Sequence, residues 1–140
     1  MTPAAAKRVT ITGEIPRKEL LACYRDADLL VLPSILPEGF GMPIVEAAFW
    51  GVPAVATRRG GLPEVIVDGQ TGSLVEADDV EGLRDAIGGL LKDDARLRTM
   101  GEAARTRALE LFTWGRTVEK LRQVYDDILT PILRSSAASN

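Results

Sequence analysis

Short apolar segments alternate with longer segments of helical periodicity through the first half of the chain. Each short segment is apolar or β-branched and ends at a glycine, a proline or a charged residue. The predicted strands are 9–12, 29–32, 53–57 and 73–75, and the predicted helices between them are 16–27, 42–51 and 63–66. Segment 29–32 is apolar at every position, which is typical of a strand covered on both faces. The pattern predicts an α/β fold, a Rossmann-like parallel sheet with flanking helices.

From residue 78 the apolar positions follow a helical repeat, which predicts three helices. Asp78 is the predicted N-cap of the first helix, because Glu81 follows three residues later as in a capping box. Thr113 is the predicted cap of the third helix, and Pro131 is expected to end or kink it. The expected apolar faces are Val80, Leu83, Ile87, Leu90 and Leu91 in the first helix, Leu97, Met100, Ala104, Ala108, Leu111 and Phe112 in the second, and Val118, Leu121, Tyr125 and Ile128 in the third.

Composition excludes several classes of function. The 140 residues suit one domain, and the net charge of −3 gives no electrostatic reason to expect nucleic acid as a partner. There is no histidine and Cys23 is the single cysteine, so no metal site, disulfide or histidine-based mechanism is expected within the chain. Cys23 itself is expected to be a half-buried helix residue. The first residues lack a signal peptide's apolar core, so a cytoplasmic protein is expected, with peripheral membrane contact in a full-length context as the alternative.

The segment from Pro37 to Ala47 holds the most informative pattern. Gly39 and Gly41 precede a predicted helix, so the backbone N–H groups of Phe40, Gly41 and Met42 can approach a ligand closely. The positive end of the helix dipole favours a phosphate there. A plain tight turn has the same signature. Glu46 lies one turn further along an otherwise apolar helix, where its carboxylate can bind a ribose diol or, alternatively, cap or reach solvent.

Two further features accompany this segment. Glu38 precedes the glycines and is a candidate for binding sugar hydroxyls or stabilising positive charge at an anomeric carbon; an exposed loop carboxylate would do neither. Gly60 and Gly61 precede another short helix, and their backbone is a candidate for the far side of the same pocket. Arg58 and Arg59, next to them, are candidates for diphosphate contact or for a solvated loop.

Several ordered motifs resemble the nucleotide-binding half of the retaining glycosyltransferases of family 4, also called group 1, which have the glycosyltransferase B fold. The likeness covers roughly residues 8 to 130. The matching residues are Asp26-Ala27-Asp28, Glu38-Gly39-Phe40-Gly41 with Glu46 eight positions after Glu38, Gly51-Val52-Pro53, Gly60 to Glu64, Asp68 to Gly72 and Phe112-Thr113-Trp114.

The resemblance implies roles for these residues. The position matching Glu38 contacts the donor sugar near the reacting carbon, and the one matching Glu46 binds the ribose hydroxyls. Backbone amides of Phe40, Gly41 and Met42 reach the sugar and phosphates. The implied donor is a UDP- or GDP-linked sugar used as substrate, with no metal and no further cofactor. The sugar and the acceptor remain open.

The family pattern also has parts without a counterpart here. Family members have two Rossmann-like domains, and a catalytic-site histidine lies in the first. We therefore expect residues 8–133 to be a partial nucleotide-sugar-binding domain between flexible termini, 1–7 and 134–140. An uncovered sheet edge predicts a homodimer or domain swap. The alternative function is a non-catalytic nucleotide-sugar-binding fragment that needs a partner chain or the missing domain. A flavodoxin-like or receiver domain fits the alternation but not the loop motifs.

Overall fold

The computed structural model describes residues 7–137 of the chain. Nine elements form in this part. The helices are α1 Arg17–Asp26, α2 Met42–Phe49, α3 Leu62–Val65, α4 Val80–Leu90, α5 Asp94–Leu111 and α6 Trp114–Ala137. The strands are β1 Leu30–Leu32, β2 Ala54–Thr57 and β3 Gly72–Val75.

The three strands form one parallel sheet in the order β1-β2-β3. Val31 pairs with Val55, and Ala54 pairs with Gly72. Each parallel connection carries at least one helix, which returns the chain to the starting edge of the sheet. The prediction of an α/β, Rossmann-like parallel sheet with flanking helices is confirmed.

Strand β2 is buried at all four positions, and its side chains pack alternately into two core clusters on opposite faces of the sheet. Ala54 and Ala56 face a cluster built with α2, α3 and β3. Val55 points to the opposite face and packs against Leu90 and Met100 of α4 and α5. A strand with helices on both faces needs apolar residues at every position, which explains the continuous apolar pattern.

The predicted strand at 9–12 is wrong. Residues 9–13 form neither helix nor strand, and the side chains of Val9 and Ile11 are 53% and 90% exposed. A strand of this length needs a neighbour to bond its N–H and C=O groups. Among residues 7–137, none of the three strands pairs with this segment. Its β-branched composition therefore does not produce a strand here.

The N-cap of α4 is Asp79, not Asp78. The Asp79 side chain accepts a hydrogen bond of 2.8 Å from the Gly82 N–H, while Asp78 adopts a left-handed turn conformation with φ +67°. The face predicted to be apolar still packs on the core through Leu83, Ile87 and Leu90, but its two end positions do not. Val80 and Leu91, expected in the buried stripe, are 73% and 50% exposed.

Two further expectations need correction, and one lies largely outside the described residues. Helix α6 continues through Pro131 to Ala137, so this proline does not end it. Cys23 is exposed, not half-buried, because the core face of α1 is formed by Tyr24 with Leu20 and Leu21. The predicted flexible termini, 1–7 and 134–140, fall largely on residues 1–6 and 138–140, which are not described; 134–137 are helical.

Candidate functional site

The N-terminus of α2 is capped by backbone alone. Gly41 is the N-cap residue, has φ +79°, and provides no side-chain hydrogen bond to the first turn. A Cβ at this position would come within 2.5 Å of the Leu62 side chain, so both the turn and the packing require glycine. With no capping side chain in place, the positive end of the helix is available to an anionic group.

The two glycine-rich loops stack against each other. The N–H of Gly61 donates a hydrogen bond of 2.9 Å to the carbonyl oxygen of Glu38. A Cβ at Gly60, where φ is +54°, would overlap the Glu38 backbone, and a Cβ at Gly61 would overlap the carbonyl oxygen of Gly39. The absence of side chains at 60 and 61 therefore allows the loops after β1 and β2 to touch.

Glu38 is held at the carboxyl ends of β1 and β2. The Ser34 hydroxyl donates a 3.2 Å hydrogen bond to its carboxylate. The carbonyl of Ser34 in turn accepts a 2.6 Å hydrogen bond from the hydroxyl of Thr57, the last residue of β2, which is 4% exposed. Ligands of parallel sheets bind beyond this edge. These two hydrogen bonds therefore hold the Glu38 carboxylate at the edge of the sheet where ligands bind.

Glu46 lies on α2 and is partly enclosed, with 16% of its side chain exposed. Its carboxylate is 2.7 Å from the guanidinium of Arg17 on α1. The buried Tyr24 faces the same carboxylate; burial, followed by the charge and hydrogen bonding of Glu46, raises the pKa of the Tyr24 phenol above its usual range. Two side chains of α1 thus set the position of one carboxylate on α2.

A broad open groove of about 1130 Å³ runs beside these groups, lined from α1, α2, α5 and α6. Phe40, Met42 and Glu46 line it, and so does Arg17. Phe40 meets Phe112 edge to face, with ring centroids 5.6 Å apart. The groove therefore offers aromatic surface, a carboxylate and cations within one concavity, the mixture that ligand sites commonly present.

Arg107 lines the groove and connects α5 to the end of α3. Its guanidinium lies 5.8 Å from the centroid of the Phe112 ring and donates to the carbonyls of Val65, at 3.0 Å, and Glu64, at 2.8 Å. These bonds join α5 to the end of α3. Phe112 is consequently held between the cation and Phe40.

The structure divides the predicted site residues into two groups. Three of them line the groove: Phe40, Met42 and Glu46. Five belong to the stacked loops or the helix cap and are not among the groove-lining residues: Glu38, Gly39, Gly41, Gly60 and Gly61. The two groups are continuous, because residues 38 to 42 form one stretch of chain.

Arg58 and Arg59 have partners outside the groove. Arg58 bonds to Asp68 at 2.8 Å and to Glu76 at 3.1 Å, and Arg59 lies 4.0 Å from Asp78. These pairs join the loops that flank β3. The arginines therefore belong to an exposed ionic cluster and are not among the groove-lining residues.

Four residues that contact the site were not predicted from the sequence: Arg17, Tyr24, Arg107 and Phe112. Arg17 is 29 positions from Glu46, and Phe112 is 72 positions from Phe40. No local spacing connects such pairs, since contact between them depends on how α1 and α5 pack on α2. Two signals were available: Arg17 and Tyr24 are seven residues apart and so share one face of α1, and Phe112 belongs to the Phe112-Thr113-Trp114 motif.

Two negative findings concern residues 7–137. This part of the chain holds no group of three or more cysteine, aspartate or glutamate side chains placed to share a metal ion. None of its helices combines the length and the apolar character needed to cross a membrane.

Most of the chain matches a known protein family. The family model described as glycosyl transferases group 1 matches residues 4–107 of the chain, a stretch that includes both glycine-rich loops, Glu38 and Glu46. The chain belongs to the group 1 glycosyl transferases. The family predicted from the motifs is confirmed.

The chain is also similar to individual glycosyltransferases and to solved structures. The D-inositol 3-phosphate glycosyltransferase of Corynebacterium diphtheriae is 43% identical over 122 residues, which cover 87% of this chain and 28% of that protein. The sucrose-phosphate synthase of Thermosynechococcus elongatus superposes with a TM-score of 0.80 at 34% identity, over 91% of this chain and 32% of that one. The Anabaena protein HepE in complex with UDP-glucose gives 0.70 at 27% identity, over 81% and 30%.

The chain thus spans less than a third of the length of these proteins. The expectation that it represents part of a glycosyltransferase is confirmed by these shares.

Proposed function

We propose that this chain forms the donor-binding portion of a retaining glycosyltransferase, which transfers a sugar from a UDP- or GDP-linked donor to an acceptor. Membership of the group 1 family supports the transferase part of this proposal. The solved complex of HepE with UDP-glucose supports a nucleotide-sugar as the ligand class. The cytoplasmic location expected from the sequence belongs to the same proposal.

The enclosure of Glu46 is the observation that carries the proposal. A carboxylate with 16% exposure on an otherwise apolar helix is costly to desolvate unless it has partners. Arg17 and Tyr24 supply partners from one side, while the groove leaves the carboxylate accessible from the other. A carboxylate held in this way can accept two hydrogen bonds from the vicinal hydroxyls of a ribose.

The remaining predicted residues have roles that follow from their positions. The N-terminus of α2 at Gly41 and Met42 is suited to the diphosphate, because it presents backbone N–H groups and the positive end of the helix dipole. Glu38, oriented by Ser34, is suited to the donor sugar, where a carboxylate stabilises positive charge developing at the anomeric carbon. Gly60 and Gly61 keep the second loop close enough to support Glu38.

A second candidate is a non-catalytic binding module that requires a partner chain or a further domain. The open form of the groove favours it, because transfer also needs an acceptor held within reacting distance, and this proposal assigns the groove of about 1130 Å³ to the donor alone. Both candidates share the donor site and differ only in whether transfer occurs without another chain.

Ligand-observed NMR with UDP, GDP, UDP-glucose and GDP-mannose tests the shared part. We expect saturable binding of one nucleotide class and at least about tenfold weaker binding in Glu46→Gln, since a neutral amide offers the ribose only one acceptor oxygen. Glu102→Gln, an exposed change on α5, is the matched control and should bind as the original chain does. Equal binding by both variants would remove Glu46 from the site.

A transfer assay separates the two candidates. The chain is incubated with the nucleotide-sugar that binds, and sugar release or transfer is followed in the presence of simple polyol acceptors. Turnover that disappears in Glu38→Gln would support the enzyme. Binding without turnover would support the module.

A further inference from the structure

The hydroxyl of Tyr24 is a polar group inside an otherwise apolar contact. Tyr24 is 6% exposed and packs with Ala47 and Val52 in the cluster that joins α1 to α2. The partly buried residues around this cluster are also aliphatic, so a phenylalanine would pack there equally well. A buried hydroxyl costs free energy unless it has a hydrogen-bond partner. The partner of this hydroxyl therefore indicates what the hydroxyl does.

The group that faces the Tyr24 hydroxyl is the carboxylate of Glu46. Glu46 directly precedes Ala47 on α2, so it lies beside the face of that helix on which Tyr24 packs. Burial, and then the charge and hydrogen bonding of Glu46, raise the pKa of the Tyr24 phenol. The phenol is therefore neutral at ordinary pH, and in this form its O–H donates and the carboxylate accepts.

The two partners of Glu46 on α1 differ in how firmly they can hold it. The guanidinium of Arg17 lies 2.7 Å from Oε1 of Glu46, but the arginine side chain is 62% exposed. An ion pair with an exposed, flexible partner is weak and leaves the carboxylate free to turn about the contact. The ring of Tyr24 has few rotatable bonds and is fixed by burial. Tyr24 is consequently the partner that can fix the orientation of the carboxylate.

Orientation matters for the role proposed for Glu46. A carboxylate accepts from two vicinal hydroxyls only when its oxygens face both of them at once. A glutamate side chain that is free to rotate loses this freedom when it binds, whereas one already held in place avoids that loss. A single hydroxyl makes a smaller demand, because many orientations of the carboxylate can accept from it. A fixed Glu46 therefore favours a diol over a lone hydroxyl.

We propose that Tyr24 is a positioning residue of the donor site, whose hydroxyl fixes the Glu46 carboxylate in the orientation that accepts both ribose hydroxyls. This inference rests on the proposed function, in which Glu46 binds the ribose of the donor. Tyr24 acts on the donor through Glu46. The preference of the site for ribose over 2′-deoxyribose, which lacks one of the two hydroxyls, then depends on a hydroxyl of α1.

Ligand-observed NMR titrations of the full chain with UDP and 2′-deoxy-UDP, and with GDP and 2′-deoxy-GDP, test the proposal. The original chain should bind the ribonucleotide at least about tenfold more tightly, because the deoxy form lacks one hydrogen bond to a charged acceptor. In Tyr24→Phe the ratio should fall to about threefold or less, with the deoxy form changed by less than about twofold. Tyr125→Phe is the matched control, since it removes the same hydroxyl from the other tyrosine, and it should keep the original ratio. In a Glu46→Gln background, Tyr24→Phe should leave the ratio unchanged, because the phenol acts through that carboxylate.

The outcomes distinguish this inference from the proposed function. Equal losses of ribonucleotide and deoxyribonucleotide binding in Tyr24→Phe would mean that the phenol only supports packing. A ratio unchanged in Tyr24→Phe would mean that Glu46 is oriented without it. Either result overturns the inference and leaves the donor site in place. If no nucleotide binds the original chain, or if Glu46→Gln binds as the original chain does, the proposed function fails and the inference fails with it.

Discussion

The guanidinium of Arg17 lies 2.7 Å from the carboxylate of Glu46, and the two residues come from helices that are separated by strand β1 in the sequence. The arginine is 62% exposed and the glutamate 16% exposed, so the pair stands at the wall of the groove with the cation on the solvent side. A ligand that enters the groove therefore meets a carboxylate whose charge is already balanced.

Arg17→Gln should lower the free energy of unfolding by no more than about 1 kcal/mol, because an ion pair with one largely exposed partner contributes little to stability. Urea unfolding followed by circular dichroism measures the change. Arg25→Gln is the control, since Arg25 is 58% exposed and paired with Asp26 on the same helix. A loss several times larger for Arg17 would mean that the pair maintains the packing of α1 on α2.

Gly60→Ala and Gly61→Ala should each lower the free energy of unfolding by about 1–3 kcal/mol, because the new Cβ would overlap backbone atoms of the other loop. Chemical unfolding of the three single variants measures this, with Gly88→Ala as the control. Gly88 lies inside α4 with open space around it, and alanine there should raise stability by about 0.5–1 kcal/mol. If Gly60→Ala and Gly61→Ala changed the free energy of unfolding no differently from Gly88→Ala, the close packing of the two loops would not depend on glycine at positions 60 and 61.

Thr57→Val should destabilise the chain by about 1 kcal/mol or more, since it removes the hydroxyl that donates to Ser34 and leaves that carbonyl without its partner. The shape of the side chain is preserved, so a cavity does not contribute. Thr99→Val, on the exposed face of α5, removes a comparable hydrogen bond to Ala95 and should cost less than about 0.5 kcal/mol. Thermal melts of both variants give the comparison, and equal costs would contradict the role of Thr57.

Stability should fall as pH rises above about 10, the ordinary pKa of a tyrosine. The pKa of Tyr24 is raised in the folded chain, chiefly by burial and then by Glu46, so the folded state keeps the phenol proton where the unfolded state loses it. The stability is present below the unfolded pKa and is lost as pH rises through the folded one. Unfolding measured between pH 9 and pH 11 should show a smaller decline in Tyr24→Phe.

Absorbance of the phenolate provides a direct check on this cause. The chain has two tyrosines, so Tyr125→Phe leaves Tyr24 as the only phenol that titrates. Its midpoint should lie above that of free tyrosine. Adding Glu46→Gln should lower the midpoint only in part, because burial is the larger cause. A midpoint at the ordinary value would contradict the enclosure of Tyr24.

The local sequence pattern was sufficient to predict most helices and strands and the two glycine-rich loops. Continuous apolar segments ended by proline or a charged residue predicted β1 and β2, and their glycine-rich exits predicted which loops would meet at the sheet's carboxyl edge. These features depend on residues near one another in sequence. Glu38 and Glu46 were predicted as site residues in the same way, since both belong to one loop and the helix that follows it.

Other features depended on neighbours that no local pattern reveals. Residues 9–13 have the composition of a strand, but a strand forms only when a second strand bonds to it. The N-cap of α4 is Asp79 and not Asp78 as predicted, because Asp78 adopts a left-handed conformation and the Asp79 carboxylate is the one that reaches the first turn of the helix. The first error arises because a strand depends on a partner outside its own segment, whereas the second is a shift of one residue within the turn that precedes α4.

The sequence by itself determined the α/β architecture and the family, because each depends on periodicity or on the order of motifs along the chain, and it supplied Glu38 and Glu46 as the carboxylates of the proposed site. Only the tertiary structure decided that Arg17 and Tyr24 bracket Glu46 and that Phe112 meets Phe40. These contacts join positions tens of residues apart. They follow from how the helices pack around β2, and that packing depends on the summed burial of many side chains.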